Sequence, residues 1–145
     1  MEDPLHHLAQ VNIARMRAPL DDPSMLTFTS RIDEINQLTE SAPGFVWRWT
    51  SDDNGPFDAP EVLFNLSVWE SVGALRDYVY RSRHAELFRN RGDWFLPSDA
   101  PSLALWWIPA GHRPNPTESK ARLDRLKAEG PTRFAFTFKQ AFPPA

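Results

Sequence analysis

Val62-Leu63-Phe64-Asn65-Leu66-Ser67-Val68-Trp69 places Phe64, Leu66 and Val68 on one side of an extended chain and Asn65, Ser67 and Trp69 on the other. That alternation is the period-two signature of a half-buried strand. Just upstream, Ser51-Asp52-Asp53-Asn54-Gly55-Pro56 is dense in turn formers. Before it, residues 45–50 are aromatic and β-branched, with Phe45, Trp47 and Trp49 expected on one face and Val46, Arg48 and Thr50 on the other. The two segments should pair as a hairpin. Downstream, Ser71 is placed to cap a helix that carries Leu75, Tyr78 and Val79. A second short helix with His84, Leu87, Phe88 and Arg91 is expected after Ser82.

The pattern continues to both ends of the chain. Residues 8–16 alternate Val11 and Ile13 against Gln10, Asn12 and Ala14, which predicts a first strand. Asp22 and Pro23 then open a helix in which Met25, Phe28, Ile32, Ile35 and Leu38 recur three or four apart. Residues 103–108 form a fourth strand. Asn115, Pro116 and Glu118 sign the start of a last helix that carries Leu123 and Leu126 and closes at Gly130-Pro131, followed by an extended aromatic tail over 134–142. The order β-α-β-β-α-β predicts an α+β, ferredoxin-like sandwich with a four-stranded antiparallel sheet. It has extra helices after the second βα unit and at the C-terminus. One domain over 1–145 is expected, with its core at about 8–110 and the segment 115–145 as an extension.

Composition excludes several function classes. The 145-residue chain has no cysteine, which removes thiol chemistry and thiolate metal sites. A net charge of -3, with arginines interleaved among acids, argues against a nucleic-acid partner. The opening Met1-Glu2-Asp3-Pro4 lacks the basic and apolar regions of a secretory signal, so the cytoplasm is the expected compartment. The apolar run 103–108 falls far short of the roughly 20 residues of a membrane span. The 14 prolines sit between periodic segments, as punctuation. The 6 tryptophans and a Phe-rich tail need burial. If Val11, Ile13, Phe64, Leu66 and Val68 face the helices, the opposite face carries Asn12, Arg48, Asn65, Ser67 and Trp69. Enclosure of that face by a second subunit would create a concave, partly polar pocket in a homodimer.

The strings Val62–Ser71, Tyr80-Arg-Ser-Arg-His84, Trp94-Phe95, Leu105–His112 and Phe134–Phe138 closely resemble a bacterial family known only as a domain of unknown function, DUF3291. That family resembles a branch of the dimeric α/β-barrel superfamily, which includes antibiotic-biosynthesis monooxygenases and haem-degrading enzymes. The resemblance implies a dimeric α/β barrel. In cofactor-independent monooxygenases of the superfamily, an asparagine and a tryptophan four residues later on one strand face the substrate cavity, and Asn65 and Trp69 match that spacing. The Trp69-Glu70-Ser71 step followed by Ser82-Arg83-His84 also resembles the monooxygenase branch, although here the histidine falls in an additional helix.

The candidate catalytic residues are therefore Asn65, Trp69, His84 and His112, with Asn12, Arg48, Ser67, Tyr80 and Trp107 as ligand contacts. An asparagine in a hydrophobic strand must be hydrogen-bonded, so Asn65 either meets ligand or knits the sheet to a neighbour. Trp69 equally suits the plugged end of a core. His84 or His112 would remove an acidic proton, with Asn65 and Arg48 stabilising the oxyanion and Trp69 packing on the ring. His84 is also the candidate axial ligand if the cofactor is haem; the leading expectation is no cofactor. No metal site is expected, because His6 and His7 are adjacent on a strand and point to opposite faces. The leading reading is a monooxygenase-like enzyme acting on a small aromatic or phenolic molecule. The alternatives are a haem-binding protein and a non-catalytic dimer that binds a hydrophobic metabolite.

Overall fold

The computed structural model describes residues 5–81, 94–96 and 102–144. Four strands, β1 (His6–Arg15), β2 (Phe45–Arg48), β3 (Val62–Trp69) and β4 (Leu103–Pro109), form one antiparallel sheet in the order β2-β3-β1-β4. Helices α1 (Leu26–Thr29) and α2 (Ile32–Ser41) connect β1 to β2, α3 (Val72–Arg81) follows β3, and α4 (Pro116–Glu129) follows β4. This is the ferredoxin-like topology expected from the periodicities. The short helix expected around His84 lies outside the described residues.

The first helix is broken where one continuous helix was expected. Asp22 caps it as anticipated, its Oδ1 accepting from the Ser24 amide at 2.9 Å. At the break, Thr29 donates to the carbonyls of Met25 and Leu26, and Ser30 donates to that of Thr27. Side chains that bond back to the preceding turn compete with the helical ladder there. Ser71 and Asn115 cap α3 and α4, accepting from the amides of Ala74 and Glu118.

The two sheet faces do not have the neighbours that alternation alone suggested. Ala9, Val11, Leu66, Val68, Ala104, Trp106 and Ile108 form one face, covered by Leu123 and Leu126 of α4 and by Ala135. The other face carries Leu8, Gln10, Asn12, Asn65, Ser67 and Trp69, and it is this polar face that α2 and α3 roof over. The concave space is therefore built within one chain, and the face with Val11 is occupied by the chain's own C-terminal helix. That segment is no appendage. After α4 the chain rounds the sheet edge, where Phe136 exchanges two backbone hydrogen bonds with Leu105 of β4. Phe136, Phe138 and Phe142 then pack on the opposite face from α4.

β2 departs from simple alternation. Phe45 pairs with Trp69 but Trp47 pairs with Val68, with a register shift between them. The irregularity sends Phe45 to the cavity side and Trp47 and Trp49 to the α4 side, where the alternation placed all three together. Gly44 sets the entry to this strand. Its φ of 85° is costly for any residue with a Cβ, and a Cβ there would overlap that of Ala74 on α3. Gly44→Ala is expected to lose about 2–4 kcal/mol, combining left-handed strain with overpacking. A urea midpoint within error of the parent protein would show that the strand entry can move.

Candidate functional site

β1 and β3 meet in three cross-strand pairs that build the floor of a cavity. Leu8 opposes Trp69, Gln10 opposes Ser67, and Asn12 opposes Asn65. Burial falls along the series: Trp69 is 0% exposed, Gln10 5% and Ser67 3%, whereas Asn12 and Asn65 are exposed. The cavity is thus closed at the tryptophan end and open at the asparagine end. Its volume is about 650 Å3, within the range of small-molecule sites. The roof comes from Phe28, Ile32, Ile35, Asn36 and Thr39 of the first helical segment, and from Leu75, Tyr78 and Val79 of α3. Tyr80 and Phe138, whose rings meet edge-on at 5.8 Å, also line it, and Tyr80 is largely exposed. Among the described residues, no charged side chain and no histidine lines this space.

The floor is held by hydrogen bonds. Gln10 Nε2 donates to Asn65 Oδ1 at 2.6 Å and to Ser67 Oγ at 2.7 Å, and Trp69 Nε1 donates to the same Ser67 Oγ at 2.8 Å. The Trp69 ring stacks on Tyr78 at 5.1 Å and meets Phe45 edge-on at 5.5 Å. Tyr78 in turn joins α3 to α2 through Thr39, at 2.5 Å between the hydroxyls. The Thr39 hydroxyl also lies 3.0 Å from the Ile35 carbonyl of its own helix. Burial raises the Tyr78 pKa above its ordinary value, partly offset by the Thr39 bond. A tyrosine held protonated in the folded state contributes stability below about pH 10 that is lost as pH rises through its folded pKa. Tyr78→Phe is expected to flatten the stability profile above about pH 10 and to remove the late step in tyrosinate absorbance. An unchanged titration would show that the hydroxyl is not buried.

Residues 7–145 match the family described as Domain of unknown function (DUF3291). The chain belongs to the DUF3291 family. No curated protein matches it. Among solved structures, a conserved protein from Methanosarcina mazei Go1 is 13% identical with a TM-score of 0.50, covering 72% of this chain and 93% of the other. A candidate antibiotic biosynthesis monooxygenase from Nitrosomonas europaea is 9% identical, again with a TM-score of 0.50, covering 77% and 96%. SnoaB, a cofactor-independent oxygenase from Streptomyces nogalater, is 14% identical with a TM-score of 0.48, covering 74% and 95%. At these identities the likeness is one of fold: the DUF3291 chain has the α+β, antiparallel-sheet architecture of the dimeric α/β-barrel proteins.

Of the DUF3291 residues singled out from sequence, Asn12, Asn65, Ser67, Trp69 and Tyr80 line the cavity. Three do not. Arg48 is turned to the end of α2, where its Nε donates to Glu40 Oε2 at 2.8 Å. Trp107 lies on the cavity-side face of the sheet but under the C-terminal tail, its Nε1 donating to the Phe142 carbonyl at 2.7 Å. His112 sits by α4, 2.8 Å from Glu118, whose other oxygen accepts from Trp106 on the opposite sheet face. It joins the helix to the sheet and cannot serve as a base in the cavity. His84 lies outside the described residues. Sequence reasoning passed over Gln10, Thr39 and Tyr78; the one available signal was that Gln10 shares the parity of Asn12 on β1. Among the described residues, no three His, Asp or Glu side chains converge on a point where they could hold a metal. No described helix is long and apolar enough to cross a membrane.

Proposed function

We propose that this DUF3291 chain binds a small aromatic or phenolic molecule in the cavity between sheet and helices and oxygenates it without a resident cofactor. The observation that carries the reading is that Asn65 and Trp69, the pair in which the sequence resembles cofactor-independent monooxygenases, belong to one hydrogen-bonded cavity floor. Aromatic side chains on floor, roof and tail suit a planar guest. Neutral donors on the floor suit an oxygen that gains negative charge as the substrate ionises.

Electron balance narrows the chemistry. With no other reductant, one oxygen atom enters the substrate and the other leaves as water only if the substrate gives up two hydrogens. A methylene activated by a phenol or carbonyl meets that demand, becoming a ketone or quinone carbonyl: CH2 + O2 gives C=O + H2O. The activated methylene would lose its proton to solvent water at the open asparagine end of the cavity, giving the electron-rich carbanion that reacts with oxygen, and Asn65 Nδ2 would hold its oxyanion. The test is oxygen uptake with a panel of phenol-activated methylene compounds. Asn65→Ala is expected to lower kcat/KM by about 100-fold. Binding of the panel with no oxygen uptake above the uncatalysed rate would sink the enzyme reading and leave a metabolite-binding protein.

Haem fits the described cavity poorly. An axial imidazole and cations for the propionates would be needed, and the described lining offers neither. A Soret band on adding haemin that disappears in His84→Ala would reverse this judgement. The cytoplasm remains the proposed compartment. A homodimer also stays within the proposal, but α4 fills the sheet face opposite the cavity, so pairing would use another surface and leave each cavity intact.

A further inference from the structure

We infer that Gln10 is a positioning residue that fixes the hydrogen-bond polarity of the cavity floor, so that the site selects ligands presenting an acceptor oxygen. The inference rests on the proposal that the cavity is a ligand site, and deepens it. Gln10 spends both hydrogens of its amide nitrogen within the floor, on Asn65 Oδ1 and Ser67 Oγ. Ser67 Oγ also accepts from Trp69 Nε1, so both of its lone pairs are filled. Its single O–H is left with no acceptor among the described residues. Asn65 has its carbonyl occupied, which leaves its NH2 without a protein partner among the described residues at the open end. A buried serine hydroxyl and an amide NH2, side by side on one strand face, make the floor a donor surface.

The polarity hangs on the orientation of one amide. Turned over, Gln10 would offer its carbonyl oxygen to Ser67 and Asn65. Their protons would then be consumed within the protein, and the floor would present acceptors. The Trp69 bond to Ser67 survives in either arrangement, and the exposed Asn65 amide turns over to follow Gln10, so Gln10 sets the polarity. Gln10→Glu supplies a side chain of nearly the same volume with no N–H donor when ionised, which draws the Ser67 and Asn65 protons onto itself.

The experiment measures binding of three bicyclic probes by tryptophan quenching and calorimetry at pH 8: chromone, an acceptor only; 1-naphthol, a donor through its hydroxyl; and naphthalene, neither. Wild type is expected to prefer chromone to naphthalene by about tenfold, the scale of one or two neutral hydrogen bonds. Gln10→Glu should erase that preference and raise 1-naphthol relative to chromone. Ser67→Ala, which removes one donor and no bulk, should lower chromone affinity several-fold and leave naphthalene unchanged. General loosening of the fold would weaken all three probes alike and leave the ratios fixed, so a fixed ratio in both variants overturns the inference. Equal wild-type affinity for chromone and naphthalene overturns it while sparing the cavity. If wild type binds none of the three, the cavity reading and this inference fall together.

Discussion

Removing residues 115–145 is expected to leave a chain with no cooperative unfolding transition. The segment closes both faces of the sheet. Leu123 and Leu126, each 2% exposed, cover Val11, Leu66, Val68 and Trp106 on one side, and Phe136, fully buried, packs with Leu8, Trp69, Leu75 and Tyr78 on the other. Burial of three such side chains contributes roughly 5–9 kcal/mol, which is comparable with the whole net stability of a typical domain, about 5–15 kcal/mol. The same deletion strips Glu118 from the Trp106 indole and takes the Phe136 backbone from Leu105. The truncated protein should bind a hydrophobic dye, sediment as aggregates and melt without a sharp midpoint. A monomeric fragment with a cooperative melt would mean that the sheet and α1–α3 are self-sufficient.

Trp69→Ala should be the most damaging single change in the cavity wall, at about 3–5 kcal/mol. The ring is wholly buried between Tyr78 and Phe45, and its N–H fills one of the two acceptor positions of Ser67. A drop in Tm on the order of 10 °C is expected for a chain of this size. Trp69→Phe separates the parts: it keeps most of the ring contact and loses the donor, so a loss near 1 kcal/mol is expected. If calorimetry finds Trp69→Ala within about 1 kcal/mol of the parent, the side chain is not inserted as described. Such a result would also undercut its place in the hydrogen-bonded floor.

Much of the framework was legible because its signals are local. Alternation in 62–69 gives β3 with its ends, and the Asn115-Pro116 start with Gly130 at φ 77° brackets α4. Alternation also groups Asn12, Asn65, Ser67 and Trp69 correctly on one face. It cannot say what covers a face: the chain itself packs both sides of this sheet, where one was expected to be enclosed by a second subunit. α4 escaped notice as a core element because it buries little besides Leu123, Leu126, the small Ser119 and Pro116 amid charged residues. The register shift after Phe45 is equally silent in sequence, since one extra residue inverts everything beyond it. His112 was available as a candidate base because its partner, Glu118, comes near only once the helix has formed. Gln10 acquires meaning only opposite Ser67, a partner 57 residues away in sequence.

The strap that rounds the β4 edge has a consequence for biosynthesis. β1 pairs on both sides with strands that emerge much later from the ribosome, and the last to arrive, β4, precedes α4 and the aromatic tail. During translation the nascent β1–α3 portion therefore holds the apolar row Ala9, Val11, Leu66 and Val68 without a lid, a condition that invites holdase chaperones. Pairings this distant in sequence make the final closure slow relative to helix formation. A pause placed late in the coding region, before the Phe136 codon is read, should therefore lower the soluble yield more than the same pause placed between α1 and β2.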